Sequence, residues 1–75
     1  MTKVMVKLST IESVYDFVAV ATKAECDVDI ISGKYLVNAK SVMGLFSLDL
    51  RQPIEVHIHA DNCDELLAEL APFKA

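Results

Sequence analysis

The side chains best suited to chemistry are few. His57 and His59 stand two residues apart, and Cys26 and Cys63 are the only thiols. A spacing of two puts both imidazoles on one face of a strand. Asp27 and Asp29 repeat that spacing in a second segment, so two neighbouring strands would set imidazoles against carboxylates. Imidazole nitrogen with carboxylate oxygen is a donor set for zinc or nickel, and His57, His59 and Asp29 are its candidate ligands. A solvated, charge-balanced strand face is the competing explanation of the same four residues. The cysteines fall outside any CxxC spacing and read as reduced, semi-buried thiols that pack as small apolar side chains.

Charge and hydropathy narrow the function classes. Eleven acidic against seven basic residues give a net charge of -4, which repels a phosphate backbone and excludes nucleic acid as a partner. The longest apolar runs, Phe17–Ala21 and Val42–Phe46, are far short of the about 18 residues needed to span a bilayer. No basic-apolar-small leader opens the chain, so a cytosolic protein with no membrane partner is expected. Nothing in the composition calls for a cofactor. Seventy-five residues make one domain, residues 1–75, small enough that a core without disulfide or metal must be well filled.

Periodicity supplies the elements that must position these groups. Lys3–Leu8 alternates as a strand, with Val4, Val6 and Leu8 on one face. From Ile11 to Ala24, the apolar residues Ile11, Val14, Phe17, Val18 and Ala21 take the spacing of an amphipathic helix. Two capping boxes compete for its start, Ser9 with Glu12 and Ser13 with Asp16. Cys26, Val28 and Ile30 alternate up to a Ser-Gly-Lys turn at 32–34, and Tyr35–Asn38 completes a hairpin. Between Lys40 and Leu50 there are too many apolar residues for one face of a short helix, so some must be exposed. Leu45, Leu48 and Leu50 are assigned to the core. Ile54, Val56, Ile58 and Ala60 form strand four, alternating with Glu55, His57 and His59. Asn62 with Glu65 has capping-box spacing ahead of a last helix whose stripe is Cys63, Leu66, Leu67, Leu70 and Phe73, ended by Pro72.

The order βαββαβα fits one arrangement. A right-handed crossover makes strands one and two parallel, and strand four slips between them antiparallel to both, giving sheet order 1-4-2-3. Because every strand has one polar face, the three helices cover a single side of an α+β, open-faced β-sandwich.

The string GKYLVNAKSVMGLFSL, Gly33 to Leu48, closely resembles the third strand and short helix of HPr, the histidine-containing phosphocarrier of the bacterial sugar phosphotransferase system. The stretch KSVMGLFSL is its specific part, and the element order extends the likeness over nearly the whole chain. The resemblance implies the same open-faced sandwich. In that family a histidine in a Gly-x-His-x-Arg-Pro stretch carries the phosphoryl group at the start of the first helix. Counting back from Phe17 sets Thr10 opposite that histidine, Glu12 opposite the arginine and Ser13 opposite the proline. A threonine hydroxyl needs a base and gives a stable ester, and Glu12 repels an incoming dianion.

The resemblance further implies that Ser41 matches the serine phosphorylated in Gram-positive members. Val42, Met43 and Phe46 match the apolar patch that docks partners. A phosphate on Ser41 would meet helix amides with Lys40 beside it. The expectation is a chain that is not an enzyme, a regulatory or interaction module with a protein partner of unknown identity. Self-association as a weak homo-oligomer is the competing use of the patch. The alternative is a metal-binding or metal-sensing domain built on His57 and His59.

Overall fold

A computed structural model describes all 75 residues. The elements are β1 (Thr2–Val6), α1 (Ile11–Lys23), β2 (Val28–Ser32), β3 (Tyr35–Asn38), α2 (Val42–Phe46), β4 (Ile54–Ile58) and α3 (Asp64–Leu70), closed by a 3-10 turn, Ala71–Phe73. The sheet runs β1-β4-β2-β3 with every neighbouring pair antiparallel, the arrangement that periodicity proposed. Val6, Val28, Ile30, Ile54, Val56 and Ile58 are buried on the helix side. On the other side the cross-strand rows are Lys3–His57–Asp29–Asn38 and Met5–Glu55–Ile31–Leu36, and none of these eight is buried. The helices therefore cover one face.

Phe17 is at the centre of the core, fully enclosed, with the Phe73 ring edge-on at 5.8 Å. Burying a side chain of this size contributes about 1.5–3 kcal/mol relative to leaving it in water. Val14 and Ala21 of the same helix, Leu45 of α2 and Leu70 of α3 belong to the same buried cluster. In the 40–50 segment only Val42–Phe46 is helical. Leu45 and Leu48 point inward and Leu50 is half-buried, which resolves the surplus of apolar residues. Gly44 lets α2 approach β3, since a Cβ there would lie 3.3 Å from both Val37 Cβ and Ser41 Oγ.

Several boundaries differ from those read in the sequence. β1 stops at Val6 because its partner β4 begins at Ile54, after Pro53, which has no N–H to extend the ladder; beyond that point the chain's own C-terminus bonds to its outer edge. Lys7 N–H donates to Phe73 O at 2.8 Å, Ala75 N–H donates to Met5 O at 3.1 Å, and Val6 is bridged to Lys74. Leu8 is buried without being in the strand. Neither sequence-proposed box caps α1: the N-cap is Thr10, paired with Ser13. Ile11, counted in the apolar stripe, is exposed, because the first helical residue lies beyond the sheet's cover. At α3 the N-cap is Cys63 with no side-chain capping bond, so the Asn62–Glu65 box does not form. The β2–β3 turn is the two-residue Gly33-Lys34 between paired Ser32 and Tyr35, with Gly33 at φ 60°, where a Cβ would be strained.

Candidate functional site

The start of α1 is built by a reciprocal cap. Thr10 is extended (φ -132°, ψ 160°), which turns its hydroxyl back over the first turn. Its Oγ1 accepts from Ser13 N–H at 3.0 Å, while Ser13 Oγ accepts from Thr10 N–H at 3.1 Å and donates to Thr10 O at 2.6 Å. The third amide of the helix is thereby occupied from within the chain. From Leu8 to Thr22 there is no Lys, Arg or His, and the acidic residues are Glu12 and Asp16. Both are exposed. An anion arriving here would meet a helix end with one amide already bonded and two negative charges nearby.

An apolar patch spreads from this helix start onto α2. Ile11 is 68% exposed, Tyr15 54%, Met43 81% and Phe46 42%. Tyr15 and Phe46 join the two helices edge-to-face, with ring centroids 5.9 Å apart. Ile11 and Tyr15 are one helical turn apart, so they share a face of α1. Val42, grouped with Met43 and Phe46 in the sequence, is half-buried and packs against the core. Ile11 and Tyr15 were not among the sequence-derived patch residues; their i, i+4 spacing was legible, but their exposure was not.

Ser41 is the N-cap of α2, its Oγ accepting from Gly44 N–H at 3.1 Å. Lys40 does not stand beside that hydroxyl as a counter-charge. Its Nζ donates to Ala24 O at 3.1 Å, tying the end of α1 to the α2 entry. A cation at a helix C-terminus is favourably placed, which accounts for the choice.

The histidines do not converge. His59 Nε2 is 2.8 Å from Asp29 Oδ2, whereas His57 Nε2 lies 3.3 Å from Glu55 Oε2 on the same strand. The His57 contact falls outside hydrogen-bond geometry and leaves that nitrogen enclosed without a partner. His57, His59 and Asp29 were the candidate metal ligands, but no three His, Cys, Asp or Glu groups are placed to hold an ion. The reason is divergence: His59 bonds Asp29 across the strands, while the His57 nitrogen is enclosed beside Glu55 of its own strand. The thiols, by contrast, share a site. Cys26 and Cys63, both free, line one cleft of about 570 Å³ between the end of α1 and the start of α3, where Cys63 Sγ donates to Thr2 Oγ1 at 3.3 Å. In the loop before β4, hydrogen bonds from Arg51 hold the Asp49 carboxyl below its ordinary value. No helix is long and apolar enough to cross a membrane.

Comparison with known proteins settles the family. The family model described as the PTS HPr component phosphorylation site matches residues 14–73. The chain belongs to the HPr family. Among solved structures it is similar to HPr-C-His from Thermoanaerobacter tengcongensis, with a TM-score of 0.79 over 96% of this chain and 89% of that one. At 24% identity this is a likeness of fold. It is also similar to phosphocarrier protein HPr from Bacillus anthracis str. Ames, at 27% identity and a TM-score of 0.69 over 99% and 94% of the two chains. No curated protein matches the sequence. The span matched to the HPr family begins at Val14, directly after the Thr10–Ser13 cap.

Proposed function

We propose that this HPr-family chain is a protein-interaction or regulatory module of the cytoplasm that does not carry a phosphoryl group at the start of α1. The observation that carries the reading is the Thr10–Ser13 cap. Where the family resemblance places a histidine and an arginine, this chain has a threonine whose hydroxyl is committed to Ser13 N–H, and a glutamate. Both histidines are at the far end of β4, His57 within it and His59 just after it. Neither is in the segment that opens α1. Incubation with the phosphotransferase system's first enzyme, phosphoenolpyruvate and magnesium should leave the mass unchanged. An acid-labile gain of one phosphate would overturn the reading.

The docking surface in this reading is Ile11, Tyr15, Met43 and Phe46, with half-buried Val42 beneath it. Aromatic and methionine side chains supply adaptable contact area, and Glu12 and Asp16 give it an acidic rim. The partner is accordingly a protein offering an apolar pocket edged by Lys or Arg. Ser41 is the candidate modification site. A phosphate there would replace the hydroxyl at Gly44 N–H and add about -2 of charge next to Met43. With Lys40 bonded to Ala24 O, the counter-charge must come from the partner. Phosphopeptide mapping of the protein from its host decides this point, and consistent absence of phosphate at Ser41 leaves the serine as a cap.

A further inference from the structure

The two edges of the sheet are treated differently. The outer edge of β1 is bonded to the C-terminal residues Phe73–Ala75, whereas β3 has nothing beside it. The hydrogen bond from Ala39 N–H to Val28 O fixes the phase of the β2–β3 ladder. By antiparallel alternation, Val37 and Tyr35 bond to β2, and the backbone groups of Leu36 and Asn38 point outward. Asn38 O accepts from Ser41 N–H at 3.0 Å. Leu36 N–H, Leu36 C=O and Asn38 N–H are left facing water. Tyr35–Asn38 has no residue charged at neutral pH, no proline and no bulge, the devices that usually blunt a sheet edge.

We propose that β3 pairs with β3 of a second copy of this chain, antiparallel about a two-fold axis through Leu36, to form a continuous eight-stranded sheet. This register satisfies the free backbone set. Leu36 exchanges both its bonds with Leu36 of the second copy, and Asn38 N–H meets the Lys34 carbonyl. The side chains agree with it as well. On the helix side, Tyr35 is set against Val37 in both halves, a favourable aromatic and β-branched pair. On the open side, the apolar pair Ile31–Leu36 continues through the axis into its copy, with Glu55 and Met5 farther from the axis in the same row. Lys34 of the second copy comes to the Asn38–Asp29 end of the other row, cation toward carboxylate. For a chain of net charge -4 this edge is where a like copy can approach without a charge clash. Because the two-fold pairing uses up β3 and the C-terminus is bonded along Met5–Lys7 of the opposite edge, pairing ends at two copies and does not propagate into a fibre.

Four residues of edge make a small interface, so the dimer forms in the upper part of the concentration range. Sedimentation velocity from about 10 μM to about 1 mM should show a monomer–dimer equilibrium. Over the same range, amide exchange should slow at Leu36 and Asn38 and stay unchanged at Tyr35 and Val37, which bond to β2 in either state. Leu36→Lys puts two ammonium groups across the axis and should abolish the dimer, while Met43→Lys on the helix patch should leave it intact. Leu36 is exposed, so the substitution spares the core. A monomer throughout, exchange at Leu36 and Asn38 independent of concentration, or a dimer lost in Met43→Lys but kept in Leu36→Lys would each overturn the proposal. The last would place self-association on the helix patch. An added strand from another protein, with no self-pairing, would likewise refute it.

Discussion

Replacing Thr10 with alanine tests whether the α1 start is closed by its own side chains. The substitution removes Oγ1, the acceptor 3.0 Å from Ser13 N–H, and leaves Ser13 Oγ bonded to the backbone of residue 10. Half of a reciprocal cap is lost at an exposed helix end where water replaces the missing partner, so the cost is about 1 kcal/mol, not the larger penalty of a buried orphan. With an unfolding entropy of about 2.1 cal/mol/K per residue, a chain this size loses about 6 °C in Tm for each such kcal/mol. Urea unfolding followed by far-UV circular dichroism should show the midpoint shift with the slope unchanged. Thr10→Asp retains an acceptor at the N-cap and should recover most of the loss. Ser9→Ala is the control, because Ser9 makes no capping bond, and it should stay within about 0.5 kcal/mol of the parent. If Ser9→Ala proves as costly as Thr10→Ala, the cap is misassigned and the argument for a closed helix end fails with it.

Leu45→Ala should destabilise by about 2–5 kcal/mol through an unfilled cavity. Met43→Ala, two residues away and exposed, should stay within about 0.5 kcal/mol, and equal costs in thermal melts would mean α2 is rotated from its described phase. Gly33→Ala should cost about 1 kcal/mol because φ is 60° there, with Gly33→Asn milder; a neutral alanine would mean the turn has another backbone form. NMR titration should find Asp49 protonating below the ordinary 3.8, with Arg51→Gln returning it upward and added salt weakening the shift. Since the folded value is depressed, the pair's stabilisation is present above 3.8 and disappears as pH falls below it. A thiol reagent should label half-exposed Cys26 before buried Cys63 in the native protein, and identical rates would argue for local opening around α3.

Element order, sheet order and the face each strand buries were all legible in the residues alone. Those depend on period-two and period-3.6 patterns, and a one-residue slip would have turned every apolar side chain outward. The sequence also shows that Thr10 and Glu12 open the first helix, because residue types are legible whatever their geometry. How groups distant in sequence meet emerged only in the folded chain. His57, His59 and Asp29 looked like a ligand set on spacing alone, but His59 takes Asp29 across the strands while the His57 nitrogen is enclosed beside Glu55 of its own strand. Lys40 seemed poised beside Ser41 until the end of α1 drew its ammonium to Ala24 O. Ile11 fits a core stripe by periodicity, but the sheet does not reach the first turn of α1, so it joins Tyr15 and Phe46 on the surface. The C-terminal residues show no strand signal, yet they cover the β1 edge because the 3-10 turn delivers them there. Periodicity is a property of one element, whereas pairing, capping and edge cover depend on which elements become neighbours.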